Sequence, residues 1–146
     1  MRDILFIIVL TFGLQAGELE KIKNACDADN AKECTNLGIL YQTGENLNKS
    51  YEKAKMYYGK ACDLNHSEGC KLFGDLYYFA QGVEQNNTKA KLYYDKSCKL
   101  NNQKGCSNLK SLVEEENALK QIKDEQKRLK EEMMLLIQEA EILDNI

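Results

Sequence analysis

The chain has 146 residues, 43% of them apolar, which suits a single domain with a modest core. Twenty basic residues against 23 acidic ones leave a formal net charge of -3, and no basic face is evident, which excludes the counterion-displacing surface a nucleic-acid binder needs. There is no proline, and Lys, Glu, Leu and Ala are abundant, so the strongest helix breaker is missing and an all-α chain is expected.

After Met1, Arg2 and Asp3 an apolar run extends from Ile4 to Leu14. It is about half of the ~20 residues a membrane-spanning helix requires and fits the core of a signal peptide. Residues 1–16 are read as that leader, with cleavage after Ala16; the alternative is a buried first helix or an uncleaved anchor. No second apolar run of spanning length follows, so no membrane attachment is expected once the leader is gone.

Residues 17–113 are dominated by repetition. Cysteines fall at Cys26 and Cys34, Cys62 and Cys70, Cys98 and Cys106, with seven residues between the members of each pair and 36 residues from one pair to the next. Ala54, Tyr57, Tyr58, Lys60, Cys62, Leu64 and Asn65 return as Ala90, Tyr93, Tyr94, Lys96, Cys98, Leu100 and Asn101. Gly38, Leu40 and Tyr41 return as Gly74, Leu76 and Tyr77, and Gly69 with Cys70 as Gly105 with Cys106. A period of this length marks a repeat architecture.

Within each unit the apolar spacing predicts two helices. The first covers Ala31 to about Thr43, with Leu37, Leu40 and Tyr41 at helical spacing, and the second covers Ser50 to Cys62, with Ala54, Tyr57, Tyr58 and Ala61 at the same spacing. A loop, Gly44 to Lys49, joins them, and its counterpart is Gln81 to Asn86. The shorter connections, Asp63 to Ser67 and Lys99 to Gln103, contain asparagines suited to turns and caps. Gly38 and Gly74 lie inside predicted helices, where glycine costs up to about 1 kcal/mol relative to alanine, so close approach of another helix is expected there.

Each cysteine pair flanks a short connection. In one straight helix eight steps of 1.5 Å would hold the Cα atoms about 12 Å apart, beyond the ~7 Å limit for a disulfide. Folded back as a hairpin, the two ends meet. The expected bridges are Cys26 with Cys34, Cys62 with Cys70, and Cys98 with Cys106. Such bridges persist in oxidising surroundings, so they and the leader point to a secreted or periplasmic protein. Structural zinc sites favour closer cysteine spacing, and with a single histidine, His66, no metal or cofactor is expected.

From Ser107 to Ile146 there is neither glycine nor proline, which predicts a long charged helix, with 114–146 read as a separate C-terminal segment. Leu119, Gln126, Met133 and Ala140 occupy the a positions of a heptad, and Ile122, Leu129, Leu136 and Leu143 the d positions. Residues 119–143 could therefore pair with another copy as a homodimer; alternatively the helix bends near Glu114 to Asn117 and caps the last repeat.

The run Ala54-Lys55-Met56-Tyr57-Tyr58-Gly59-Lys60-Ala61-Cys62-Asp63-Leu64, with Gly69-Cys70 and Gly74-Asp75-Leu76-Tyr77, resembles the Sel-one-like repeat, a relative of the tetratricopeptide repeat. With cysteines at both positions of every unit, it resembles the secreted Helicobacter cysteine-rich protein family. The resemblance covers Glu18 to about Leu112. It departs where Glu18 replaces an expected alanine and Lys110 an expected glycine, which suggests altered ends. It implies an α/α superhelical solenoid, to which the long charged helix adds a C-terminal segment; the whole is read as a protein- or peptide-interaction module or one that holds a cell-wall fragment.

Members of that family have also been described as penicillin-binding proteins and weak β-lactamases, so the resemblance implies hydrolase activity as an alternative. Ser50 with Lys53 and Ser107 with Lys110 fit Ser-x-x-Lys, but neither Ser-Asp-Asn nor Lys-Thr-Gly occurs. No catalytic residue is assigned, and His66 reads as an exposed turn residue. In tetratricopeptide-like superhelices the first helix of each unit lines the groove, which makes Asn36, Tyr41, Lys71, Asp75 and Tyr78 the candidate binding residues. Of each tyrosine pair, Tyr57 with Tyr58 and Tyr93 with Tyr94, one member is expected to pack inward and its neighbour to reach the groove.

Overall fold

The computed structural model describes residues 17–145, so the leader read in 1–16 lies outside the described residues. Six helices occur among them: α1 over 17–27, α2 Ala31–Thr43, α3 Tyr51–Asp63, α4 Ser67–Tyr78, α5 Asn87–Lys99 and α6 Gln103–Asp144. The fold is all-α. The chain divides into two compact units, the first ending at Leu109 and the second beginning at Lys110.

Helix starts follow the repeat. Asn30, His66 and Asn102 stand 36 residues apart, and each offers a side-chain acceptor to the amide three residues on: Glu33 at 3.3 Å, Gly69 at 3.4 Å and Gly105 at 2.9 Å. Ser50 and Asn86 cap α3 and α5 in the same way. The short turns before α2, α4 and α6 depend on a left-handed residue at one repeated position: Asp29 (φ 61°), Asn65 (φ 59°) and Asn101 (φ 64°). The longer loops repeat too, but where the first has Gly44 at φ 79° the second has Ala80 at φ 54°.

The disulfides close the short turns. Cys26 joins Cys34, Cys62 joins Cys70 and Cys98 joins Cys106, with Cα–Cα distances of 4.6, 4.4 and 4.5 Å. These lie within the range a bridge spans without moving the backbone. The first two bridges are buried and the third is partly exposed.

In the first unit of the chain α2 packs on α3 and α4 on α5, around a core that includes Leu37, Tyr41, Ala54, Tyr58, Ala61 and Leu76. The two intrahelical glycines have a specific cause. The buried Tyr58 ring lies so close to Gly38 that a Cβ there would stand 2.5 Å from it, and Tyr94 would stand 2.8 Å from a Cβ on Gly74. Any side chain at either position would displace the tyrosine, so the propensity cost of glycine is outweighed by ring packing.

α6 is helical without interruption through Glu114 to Asn117, and its apolar residues from Leu119 to Leu143 are exposed. Among the described residues no helix is long and apolar enough to cross a membrane.

Candidate functional site

The first helices of successive units are α2, α4 and the opening turns of α6, and their side chains meet at two junctions. At the first, Tyr58 donates its hydroxyl to Gln42 Oε1 at 2.5 Å, and Gln42 Nε2 donates to Gln81 Oε1 at 2.7 Å. Thr35 Oγ1 stands 2.7 Å from His66 Nδ1.

The second junction is charged. Asp75 gathers three donors: Lys71 Nζ at 3.0 Å, Tyr94 Oη at 2.8 Å and Asn108 Nδ2 at 3.2 Å. Glu68 takes Asn102 Nδ2 at 2.9 Å and holds Lys71 Nζ at 3.2 Å. The side chains of Lys71 and Asp75 are only 11% and 15% exposed, so their attraction is little screened by solvent.

Burial alone would pull the Lys71 ammonium down, but the carboxylates of Asp75 and Glu68 outweigh it and hold its pKa above the usual lysine value. Burial likewise pushes Glu68 up, yet Asn102 and Lys71 prevail and leave its carboxyl below the usual range. The Tyr94 hydroxyl is raised by burial and by its bond to the Asp75 carboxylate.

Beside this network an open cleft of about 370 Å³ is lined by Lys71, Gln103, Lys104, Ser107 and Asn108. Its lining mixes polar and apolar surface, and Gln103, Lys104 and Asn108 carry donors, so it suits a ligand that offers oxygen acceptors. Among the described residues no group of three His, Cys, Asp or Glu could hold a metal.

Of the residues singled out from sequence, Lys71, Asp75 and Tyr78 share one stripe of α4 at i, i+4 and i+7. Asn36 bonds Glu33 at 3.0 Å within α2. Tyr41 does not reach a groove: at 7% exposure it is stacked on Tyr57, ring centroids 5.6 Å apart, under the ammonium of Lys53. Its position on the α3-facing side of α2 makes it a core residue, which corrects its assignment as a binding candidate. Tyr58 and Tyr94 are the inward members of their pairs, but their neighbours Tyr57 and Tyr93 are half-buried in ring clusters with Tyr41, Phe73 and Tyr77.

The Ser-x-x-Lys pairs have ordinary duties. Ser50 caps α3 while Lys53 lies over Tyr41, and Ser107 donates to the Gln103 carbonyl at 3.0 Å. His66, read as an exposed turn residue, is a partly buried helix cap. Sequence reasoning missed Gln42, Glu68, Asn102 and Asn108. Their partners lie 31 to 39 residues away, as do Thr35 and His66, so pairing each position with the one about a repeat later was the available signal.

The Sel1 repeat family matches residues 34–66 and 69–102. The fold is also that of Helicobacter pylori cysteine rich protein B, which is 31% identical, with a TM-score of 0.62 over 64% of this chain and 70% of that one. The chain belongs to the Sel1 repeat family. Its cysteine-paired units place it with the Helicobacter cysteine-rich type. Two further Sel1-type structures share the fold alone. A Sel1 repeat protein from Oxalobacter formigenes is 21% identical, with a TM-score of 0.60 over 62% of this chain and 37% of that one. A protective antigen of uropathogenic Escherichia coli is 23% identical, with a TM-score of 0.63 over 66% of this chain and 21% of that one. No curated protein matches the sequence.

Proposed function

We propose that this Sel1 repeat protein works outside the cytoplasm as an interaction module that takes an extended peptide segment in the cleft between α4 and the start of α6. The observation that carries the reading is the cleft itself: an open surface whose floor is fixed by the Glu68–Lys71–Asp75–Tyr94–Asn108 network. Lys71 and Asn108, held by that network, lose little entropy on binding, and main-chain carbonyls of an extended peptide match the donors of Gln103, Lys104 and Asn108. Lys104 favours an acidic residue on that peptide. Three disulfides and the apolar leader support an oxidising location.

The test is affinity capture from envelope and host extracts by the oxidised chain without residues 1–16, in parallel with Lys104→Glu. A protein retained by the first and lost with the variant supports the reading. Capture unaffected by Lys104→Glu, or retention of cell-wall fragments alone, refutes it. Turnover of a chromogenic cephalosporin that disappears in Ser107→Ala would replace it with β-lactam hydrolysis.

A further inference from the structure

The second unit of the chain is helical from Lys110 to Asp144 and carries a row of apolar side chains in solvent. Leu119, Ile122, Leu129, Met133, Leu136 and Leu143, all at a or d positions, are 49% to 71% exposed. The seam from 119 to 143 is about 36 Å long at 1.5 Å per residue, or three and a half heptads, which is in the range where coiled-coil pairing becomes stable.

The residues flanking the seam are sorted by sign. The e positions hold Lys123 and Lys130, then Ile137; the g positions hold Glu125, Glu132 and Glu139. We propose that the seam is covered by a second copy of the same chain, in a parallel, in-register, two-stranded coiled coil.

Orientation follows from charge. In a parallel pair each g residue faces the e residue five positions on in the other helix, so Glu125 meets Lys130 twice by symmetry. Glu132 lies beside Ile137, where its methylenes cover the apolar chain. In an antiparallel pair g faces g, and glutamates would confront glutamates along the seam. The one polar a residue points the same way. Gln126 meets its own copy in a parallel, in-register pair, where the two amides can bond each other; an antiparallel pair would set it against an apolar d residue.

The test uses the full chain without its leader, disulfides intact. Light scattering and sedimentation are expected to give the mass of two chains, dissociating on dilution, and Leu129→Glu with Leu136→Glu is expected to give a monomer of unchanged helical content. Glu125→Lys is expected to weaken the dimer roughly fivefold to tenfold, because two exposed ion pairs become two like-charge contacts, and Lys130→Glu added to it restores the affinity. Gln126→Cys is expected to cross-link to its own copy under mild oxidation. A monomer at every concentration overturns the proposal. So does an assembly larger than two chains, a dimer that survives Leu129→Glu with Leu136→Glu, or one tightened by Glu125→Lys, the response of an antiparallel pair.

Discussion

Removing the Asp75 carboxylate tests whether the second junction holds the repeats together. In Asp75→Ala the Tyr94 hydroxyl, the Asn108 amide and the Lys71 ammonium each lose an acceptor now 2.8 to 3.2 Å away. A hydrogen bond to a charged group contributes about 1.5 to 3 kcal/mol, the three are not additive, and relief of the carboxylate's own desolvation offsets part of the loss. The expected net cost is about 3 kcal/mol, a large share of a typical domain's 5 to 15 kcal/mol. Tyr94→Phe keeps the ring on Gly74 and loses only the hydroxyl's bond to the carboxylate, so about 1.5 kcal/mol is expected, the low end because Asp75 keeps two other donors. The double variant is expected to cost about 1 kcal/mol less than the sum, since the phenylalanine removes the donor that Asp75→Ala strands. Urea unfolding followed by tyrosine fluorescence, with disulfides intact, measures all three; the chain has eight tyrosines and no tryptophan. A loss under about 1 kcal/mol for Asp75→Ala, or strict additivity, would show that the network contributes no cohesion.

His66→Ala is expected to cost about 2 kcal/mol of stability by thermal unfolding, whereas His66→Asn, which keeps the cap found at positions 30 and 102 but gives up the imidazole that meets Thr35, is expected to recover about half of that. Ala80→Gly is expected to stabilise by about 0.5 to 1 kcal/mol in the same assay, because the alanine sits at φ 54° where the preceding unit uses Gly44. Glu68, held below the usual carboxylate range, contributes stability that is complete above its unfolded pKa of about 4.3 and is lost as pH falls through the folded value. Lys71, held above the usual lysine value, contributes stability that is complete below about pH 10.4 and is lost as pH rises through its folded pKa. Urea midpoints are therefore expected to drop from about pH 5 to pH 3, less steeply in Glu68→Gln than in the parent chain, and to drop again in strong alkali.

The helices were legible because their causes are local. The apolar spacing of Leu37 and Tyr41, the asparagines of the short connections and the cysteine pairs each act within a few turns of chain, and the boundaries of α2 and α3 agree to within a residue. The glycines announced a close approach but not its partner, which proved to be the ring of Tyr58 or Tyr94. The site was harder to read because its bonds cross from unit to unit. Lys71 and Asp75 stood out as charged residues on a first helix, but nothing within α4 showed that Asn108 and Tyr94 would claim Asp75. Tyr41 was misplaced for a related reason: tyrosine suits both a groove and a core, and only the stacking partner Tyr57 decides between them.

The two junctions use different chemistry. The earlier one is sealed by an amide pair, Gln42 with Gln81, and by a hydroxyl on an imidazole, Thr35 with His66, and the later one by opposite charges. The units are thus alike in backbone yet not interchangeable as modules. A third full unit copied from residues 31–66 and inserted before Gln103 would set Thr35 and Ile39 where Lys71 and Asp75 now receive the start of α6, leaving Asn108 without its carboxylate. Lengthening this protein by duplication would demand new side chains at the splice, and the order of its repeats is written in those few contacts.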